Sequence, residues 1–410
     1  MKKFIYQCID CGATYSSDSV MYLCPRCSKK NNNDEPPYGV LKTIYDYPAI
    51  KRKFQKNIFS KLQQRLFLDI LPIESMNSLP FLQVGNTPIY KIETSCCHLF
   101  LKDDSQNPTF SFKDRASAIV SAFAKEHQIN TIITASTGNA GSSLAGICAA
   151  QKQKAIILVP AAAPKAKLTQ ILMYGGIIVP VEGTYDDAFN LSVTLTEQYG
   201  FYNRNTAFNP LTIEGKKTVS LELFSQLGQQ IPDKIFVPVG DGVIISGVYK
   251  GFEDLMLLNI INKMPTIVAV QAENSSNIIR NMHVETFVSS SSHTIADSIS
   301  VDVPRNFRMT KKYLLSYHGE AITVKDKEIL NASSVLSKNT GIFSEPAACA
   351  AFAGYLNYCR GGKIQSNEKV VVLLTGCGLK DLYAVQPMLK IPKAIKPNIT
   401  SIKKLYPDMF

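Results

Sequence analysis

From Leu79 onward, apolar runs that read as strands alternate with stretches of helical spacing, and this alternation limits the fold more than any other feature. Strands are expected at Leu99–Leu101, Thr131–Ala135, Ala155–Val159, Ile177–Val181, Ile235–Val239, Thr266–Ala272 and Lys369–Leu374. Helices are expected at Phe112–Glu126, Asn139–Gln151, Leu168–Tyr174, Asp186–Tyr199, Lys216–Leu227, Val248–Asn259 and Glu345–Tyr358. Thr184, with Asp187 three residues on, opens the fourth of these helices. The pattern is that of an α/β protein with open, mostly parallel sheets flanked by helices. No internal repeat is visible, and the low-complexity run is the serine cluster Ser289–Ser292.

The stretch Asn107–Arg115, NPTFSFKDR, sets one lysine where a helix should begin. Ser111 reads as the N-cap and Asp114 as its capping-box partner, so Lys113 falls in the first turn. The partial positive charge there disfavours a protonated amine, and such a lysine can attack an aldehyde to form a Schiff base. The plainer reading is a capped helix with a solvated lysine.

Two pairs, Cys8-x-x-Cys11 and Cys24-x-x-Cys27, precede the body. Each bends a hairpin tip so that both thiolates face one tetrahedral ion. Four thiolates leave no open position, so the expected metal is structural, zinc or iron. This ribbon occupies residues 1–35. Residues 36–80 follow as a polar, Pro-rich connector and one helix over Tyr45–Leu71, before a body at 81–390 and a basic tail at 391–410.

With 410 residues, 45% hydrophobic and 19% charged, the chain has ample core and the length of two to three domains. The net charge of +11 is dispersed, which reads as a solvated surface; nucleic-acid binding is not expected. Met1-Lys2-Lys3 is followed by no apolar stretch, and no run approaches a membrane span. Ten cysteines without a signal segment suggest reduced thiols and a cytoplasmic protein. None of the five histidines falls in a motif.

Three glycine-rich turns follow expected strands: Ser136–Gly141, Gly240–Gly247 and Thr375–Gly378. Hydroxyls and free N–H groups at the first suit a carboxylate, and the glycines of the second let backbone approach a phosphate. Each alone is also what a tight turn requires. Three at strand ends, where α/β folds collect ligands, form the stronger argument.

NPTFSFKDR, ASTGN (135–139), NP-x-x-x-EGKKT (209–218), SEPA (344–347) and TGCGLKD (375–381) resemble the threonine synthases, fold-type-II pyridoxal-phosphate enzymes related to the tryptophan synthase β chain. The branch with an N-terminal cysteine ribbon also carries a segment like PPYGVL, residues 36–41, so the resemblance covers nearly the whole chain. It implies a two-lobed body, the smaller lobe at about 121–204 and the larger at 81–120 and 205–390, with pyridoxal 5'-phosphate as cofactor beside the structural zinc. Lys113 would hold the cofactor and shuttle protons. Asn139 would hold its 3-hydroxyl, and Thr375 would meet the pyridine nitrogen. Gly240, Asp241, Gly242, Val243 and Ile244 would cradle its phosphate, with Ser246 assisting. Ser136, Thr137 and Asn139 would meet the carboxylate of a small amino-acid substrate. The implied reaction converts O-phospho-L-homoserine and water to L-threonine and phosphate, in a lyase of threonine biosynthesis whose smaller lobe closes against water. A homodimer is left open, since relatives are often dimers.

Three positions depart from the family pattern. The phosphate turn, usually similar to GNxGN, reads GDGVI, so Asp241 must turn its carboxylate towards backbone donors or a cation. No Lys or Arg occurs between Thr184 and Arg204, where relatives place one for the substrate phosphate, and Ala140 replaces a common threonine. Two further functions therefore stay open. One is a sister enzyme similar to cysteate synthase or to threonine or diaminopropionate lyase. The other is a non-catalytic module whose ribbon binds nucleic acid or a partner.

Overall fold

The computed structural model describes every residue except 1, 20, 33, 162 and 164, and the side chains of 165–167 are left aside; positions 1, 20 and 33 fall in the expected ribbon span, 1–35. Strands β1 (Phe4–Cys8) and β2 (Thr14–Ser16) form a hairpin, and β3 (Leu41–Tyr45) pairs antiparallel with the other edge of β1. Residues 41–45 thus complete the ribbon sheet. Their sequence LKTIY alternates in burial, with Leu41, Thr43 and Tyr45 inward, the period of a strand.

The single helix expected over Tyr45–Leu71 is instead two, α1 (Tyr47–Phe54) and α2 (Ile58–Gln64). Gln55 and Asn57 between them, and Leu66 and Phe67 beyond, take positive φ, which ends an α-helix. The break lets Phe59 pack edge-on against Phe224 at 4.7 Å.

The body begins with β4 (Ile89–Glu93), β5 (His98–Asp103) and α3 (Lys113–Glu126). Next come β6 (Thr131–Ala135), α4 (Asn139–Gln151), β7 (Lys154–Pro160), α5 (Lys165–Met173), β8 (Ile177–Val181), α6 (Tyr185–Tyr199) and β9 (Tyr202–Asn203). After α7 (Leu211–Lys216) and α8 (Thr218–Gln226) run β10 (Lys234–Pro238), α9 (Val243–Leu257), β11 (Thr266–Ala272) and α10 (Asn277–Arg280). The last elements are α11 (Phe307–Ser316), β12 (Glu320–Val324), α12 (Asp326–Thr340), α13 (Pro346–Arg360), β13 (Lys369–Leu374), α14 (Leu382–Val385) and α15 (Ile399–Leu405).

Two sheets result, of order β12-β11-β10-β13-β5-β4 and β8-β7-β6-β9. Every pairing in them is parallel except that of β4 with β5. Central strands such as β10 (KIFVP) and β13 (KVVVLL) are buried on both faces by flanking helices, which is why they read as apolar runs rather than alternations. The four-stranded sheet and its helices occupy Thr131–Asn203. Among the described residues no helix is long and apolar enough to cross a membrane.

The expected Ser111–Asp114 capping box does not form. Phe112 precedes α3 without a side-chain cap, and the Ser111 hydroxyl is buried without a partner. The Asp114 carboxylate turns back instead, accepting from the Thr109 N–H at 2.7 Å and the Thr109 hydroxyl at 2.5 Å. The Thr184–Asp187 capping box of α6 is present in full. Helix α9 starts five residues before its expected onset, directly after Gly242. One thiol pair departs from the reduced state expected of all ten cysteines: Cys96 and Cys359 form a disulfide, because β4–β5 and the end of α13 bring their Cα atoms to 6.1 Å.

Candidate active site

A cavity of about 570 Å³ lies between the two sheets. Its lining draws Lys113 from α3, residues 134–140 around the start of α4, Arg204, Lys216 from the end of α7, residues 238–245 from the β10–α9 turn, and the 297–305 loop. Lys113, Ser136, Thr137, Asn139, Gly240, Asp241, Gly242, Val243 and Ile244 therefore line the same cavity. Thr375 is not among the lining residues; it is buried at the end of β13, where its carbonyl accepts the Phe112 N–H at 2.9 Å, next to Lys113.

Arg115, two residues after Lys113, fixes this helix start. Its guanidinium, fully buried, pairs with buried Asp104 at 2.5 and 2.9 Å and with half-buried Glu222 at 2.6 and 2.8 Å. Bidentate pairs of this kind hold geometry as well as charge. Burial lowers the pKa of the Lys113 amine, with Arg204 acting in the same direction and Glu345 and Asp241 opposing.

Helix α4 starts at Asn139 with no side-chain cap. A side chain at Gly141 would come within 2.6 Å of the Ser136 carbonyl, so only glycine allows this tight turn. The Asn139 amide donates to both carboxylate oxygens of Glu345, at 3.0 and 2.9 Å. Burial raises the Glu345 pKa, while Asn139, Lys113 and Lys380 pull it down. No role was read for Glu345 from the sequence; its SEPA motif was the available signal.

The β10–α9 turn brings Gly242 to φ +87° and leaves α9 without a side-chain cap. The Asp241 carboxylate accepts the Arg305 backbone N–H at 3.1 Å, a backbone donor such as the sequence demanded of an acid here. The Ser246 hydroxyl is buried behind this turn, accepting from the Asn306 amide at 2.7 Å and bonding the Thr310 hydroxyl at 3.1 Å, and both partners also donate to the Gly242 carbonyl.

The cavity is rich in cations. Arg204 is held by the hydroxyls of Ser117 and Thr206, at 3.2 Å each, and burial lowers its pKa to about 10. Lys216 is fully buried, and its amine has no hydrogen-bond partner among the described residues. At the mouth, Arg305 pairs with Asp186 of α6 and stacks on Phe189 at 3.8 Å, spanning the two lobes.

The pyridoxal-phosphate dependent enzyme family matches residues 80–376. Threonine synthase of Methanocaldococcus jannaschii is 32% identical over 416 aligned positions, covering 99% of this chain and 100% of that protein. Threonine synthase of Methanosarcina acetivorans is 33% identical over 407 positions, 97% of each. The chain belongs to the threonine synthase family of pyridoxal-phosphate dependent enzymes. Among solved structures, processed threonine deaminase isoform 2 of Solanum lycopersicum superposes with a TM-score of 0.66 at 24% identity, over 81% of this chain and 94% of that one, a likeness of fold.

Cys8, Cys11, Cys24 and Cys27 bring their sulfurs within 4.8 Å of one another. The Cys8–Cys27 and Cys11–Cys24 sulfur separations are 3.8 Å. Zinc–sulfur bonds of about 2.3 Å in a tetrahedron require sulfurs about 3.8 Å apart, so the four thiols fit such an ion. The ribbon is docked on the body. Tyr22 stacks on Phe208 at 4.6 Å, and its hydroxyl accepts the Asn203 N–H, one residue before Arg204.

Proposed function

We propose that this protein is a threonine synthase that converts O-phospho-L-homoserine and water to L-threonine and phosphate. The observation that carries the reading is end-to-end similarity to threonine synthases together with a half-buried lysine, Lys113, at the base of a cation-rich cavity.

The residues fit pyridoxal phosphate. Lys113 would hold it, Asn139 would meet its 3-hydroxyl, and the N–H groups of Gly240–Ile244 would meet its phosphate. Thr375 would reach the pyridine nitrogen from beside Phe112. Side chains at Gly240 and Gly242 would strike Ile299 at 2.9 Å and Thr310 at 2.1 Å, so the glycines let this turn pack against the 299 segment and α11. When bound, the cofactor supplies an electron sink for charge developing beside the amino group.

The remaining work belongs to the chain. The Lys113 amine, whose pKa burial lowers, takes the α-proton and then a β-proton; phosphate departs from the γ-carbon, and a proton returned there completes the methyl group. Water then adds at the β-carbon, and a proton returned to the α-carbon completes L-threonine. The hydroxyls of Ser136 and Thr137 and the free N–H groups opening α4 orient the substrate carboxylate. Glu345 fixes the Asn139 amide, and the Arg305–Asp186 contact holds the lobes together over the cavity. Helix α6 carries no basic residue, yet Arg204, Arg305 and Lys216 line the same cavity from other elements and supply cations for a phosphorylated substrate.

The same reading gives Cys8, Cys11, Cys24 and Cys27 one structural zinc, and a homodimer in the cytoplasm. The test of the site is covalent: borohydride reduction in the presence of pyridoxal phosphate should fix the cofactor to the peptide containing Lys113. Lys113→Ala should lose the visible absorbance and all turnover while melting as the parent does. Fixation to another lysine would overturn the assignment.

A further inference from the structure

The pair Lys216-Lys217 divides its work. Lys217 is saturated: its amine pairs with Glu214 at 2.5 Å and Asp254 at 2.7 Å. Lys216 is equally buried, lines the cavity, and meets no acceptor among the described residues. An ammonium out of water and unpaired is among the costliest arrangements a protein can hold, so the site calls for an anion or a neutral amine.

The surroundings select the anion. Lys216 packs against the first turns of α9, where a side chain on Gly247 would lie 2.6 Å from the Lys216 Cβ. That helix presents uncapped N–H groups to the same cavity. Arg204 is close enough to depress the Lys216 pKa, as is Lys113, so positive charge accumulates on this wall. The one acid acting on Lys216, Asp241, gives its carboxylate to the Arg305 N–H. A monoanion leaves much of this charge unmatched; a tetrahedral dianion with three acceptor oxygens matches it.

We propose that the Lys216 amine contacts a phosphate monoester dianion bound in this cavity. The inference rests on the functional reading above and deepens it. Two sources of that dianion exist in the reading, the cofactor and the phosphorylated substrate. A bound dianion opposes the burial that lowers the Lys216 pKa.

The experiment compares the wild-type protein with Lys216→Met, which keeps length and removes charge. Each is stripped of cofactor and titrated with pyridoxal phosphate, with pyridoxal and with inorganic phosphate, by visible absorbance for the aldehydes and by calorimetry for phosphate. If the dianion is the cofactor's, pyridoxal phosphate binds about tenfold or more weakly to the variant, while pyridoxal changes less than about threefold. If it is the substrate's, both aldehydes bind as in wild type, and inorganic phosphate binds the cofactor-loaded variant about tenfold more weakly. Either result supports the site, and Lys216→Arg should restore most of the loss. Equal losses for pyridoxal and pyridoxal phosphate, or no loss of any kind, would overturn it and leave Lys216 a packing residue. Pyridoxal binding also controls for folding, and Lys216→Gln replaces the methionine variant if that does not fold. A wild-type protein with no visible band on adding pyridoxal phosphate defeats the functional reading instead; the phosphate titration alone then decides the Lys216 site.

Discussion

Asp241 and Lys216 show how far single residues carry the account. An acid in a phosphate turn looks repulsive on paper, at about 4 kcal/mol for like unit charges ~4 Å apart in a medium of dielectric near 20. Its Oδ1 accepts the Arg305 N–H, a backbone donor that draws the carboxylate to its own chain. Asp241→Asn should therefore change the dissociation constant of pyridoxal phosphate less than about tenfold, or 1.4 kcal/mol, on titrating the apoprotein. A hundredfold gain would mean that the carboxylate faces the phosphate. Lys216 gives a stability prediction of definite sign. Burial holds its folded pKa well below 10.5, so folding expels a proton between that lowered value and 10.5. Its contribution is complete above 10.5 and is lost as pH falls towards the lowered pKa, by about 1.4 kcal/mol per unit. In cofactor-free, phosphate-free buffer, Lys216→Met should be more stable than wild type at pH 7, with the advantage shrinking towards pH 10. Denaturant midpoints at the two pH values measure it. None of this was legible in EGKKT, because two adjacent lysines look alike until a helix turn sends one to carboxylates and the other to a cavity. Lys113, by contrast, was legible from its motif, although the cap inferred for it was wrong: Asp114 found a nearer donor in Thr109 than in Ser111.

At the scale of elements, the loops that matter sit where the strand–helix rhythm placed them, and the misreadings have local causes. Helix α9 was set too late because its first turn, VIISG, reads as a continuation of the glycine turn. Strand β12 and helices α11 and α12 were passed over, since half-buried, polar-faced segments such as EAITV and DKEILNASSVLSKNT give weaker apolar signals than buried strands. Beneath the cavity, β3, α1, α7 and α9 meet in a buried ionic cluster. Lys217 and Lys250 share Asp254, while Tyr45 bonds Glu214 at 2.5 Å and Tyr47 bonds Asp254 at 2.6 Å. Asp254→Ala would leave two buried ammonium groups underpaired and should cost about 3–5 kcal/mol, read as a lowered denaturant midpoint. The ribbon is the other element with a clear prediction. Freshly reduced protein should hold one zinc per chain, and replacing any of Cys8, Cys11, Cys24 or Cys27 with serine should raise hydrogen exchange across residues 1–30 more than across the sheets of the body. A module this small draws its folding free energy from the metal. Less than a tenth of an equivalent of metal would remove the claim.

For the whole molecule, the fold class was readable because parallel strands buried on both faces must be apolar throughout and must be joined by helices. The two-lobed division came from resemblance rather than from pattern, and so did the roles given to the loops. What neither showed is how the lobes meet. Arg305 reaches Asp186 and Phe189, Asn139 reaches Glu345, and Tyr22 of the ribbon reaches Asn203 beside the cavity, all across more than 100 residues of sequence. Contacts so distant in sequence leave no local pattern to read. They do converge on one cavity, and the central claim is that this cavity turns phosphohomoserine into threonine. The most direct measurement supplies the purified, cofactor-loaded protein with O-phospho-L-homoserine and follows amino acids and phosphate together. The account predicts L-threonine and phosphate in equal amounts, with none from Lys113→Ala. A 2-oxo acid and ammonia in place of threonine, or no phosphate release by protein that carries the cofactor, would contradict it.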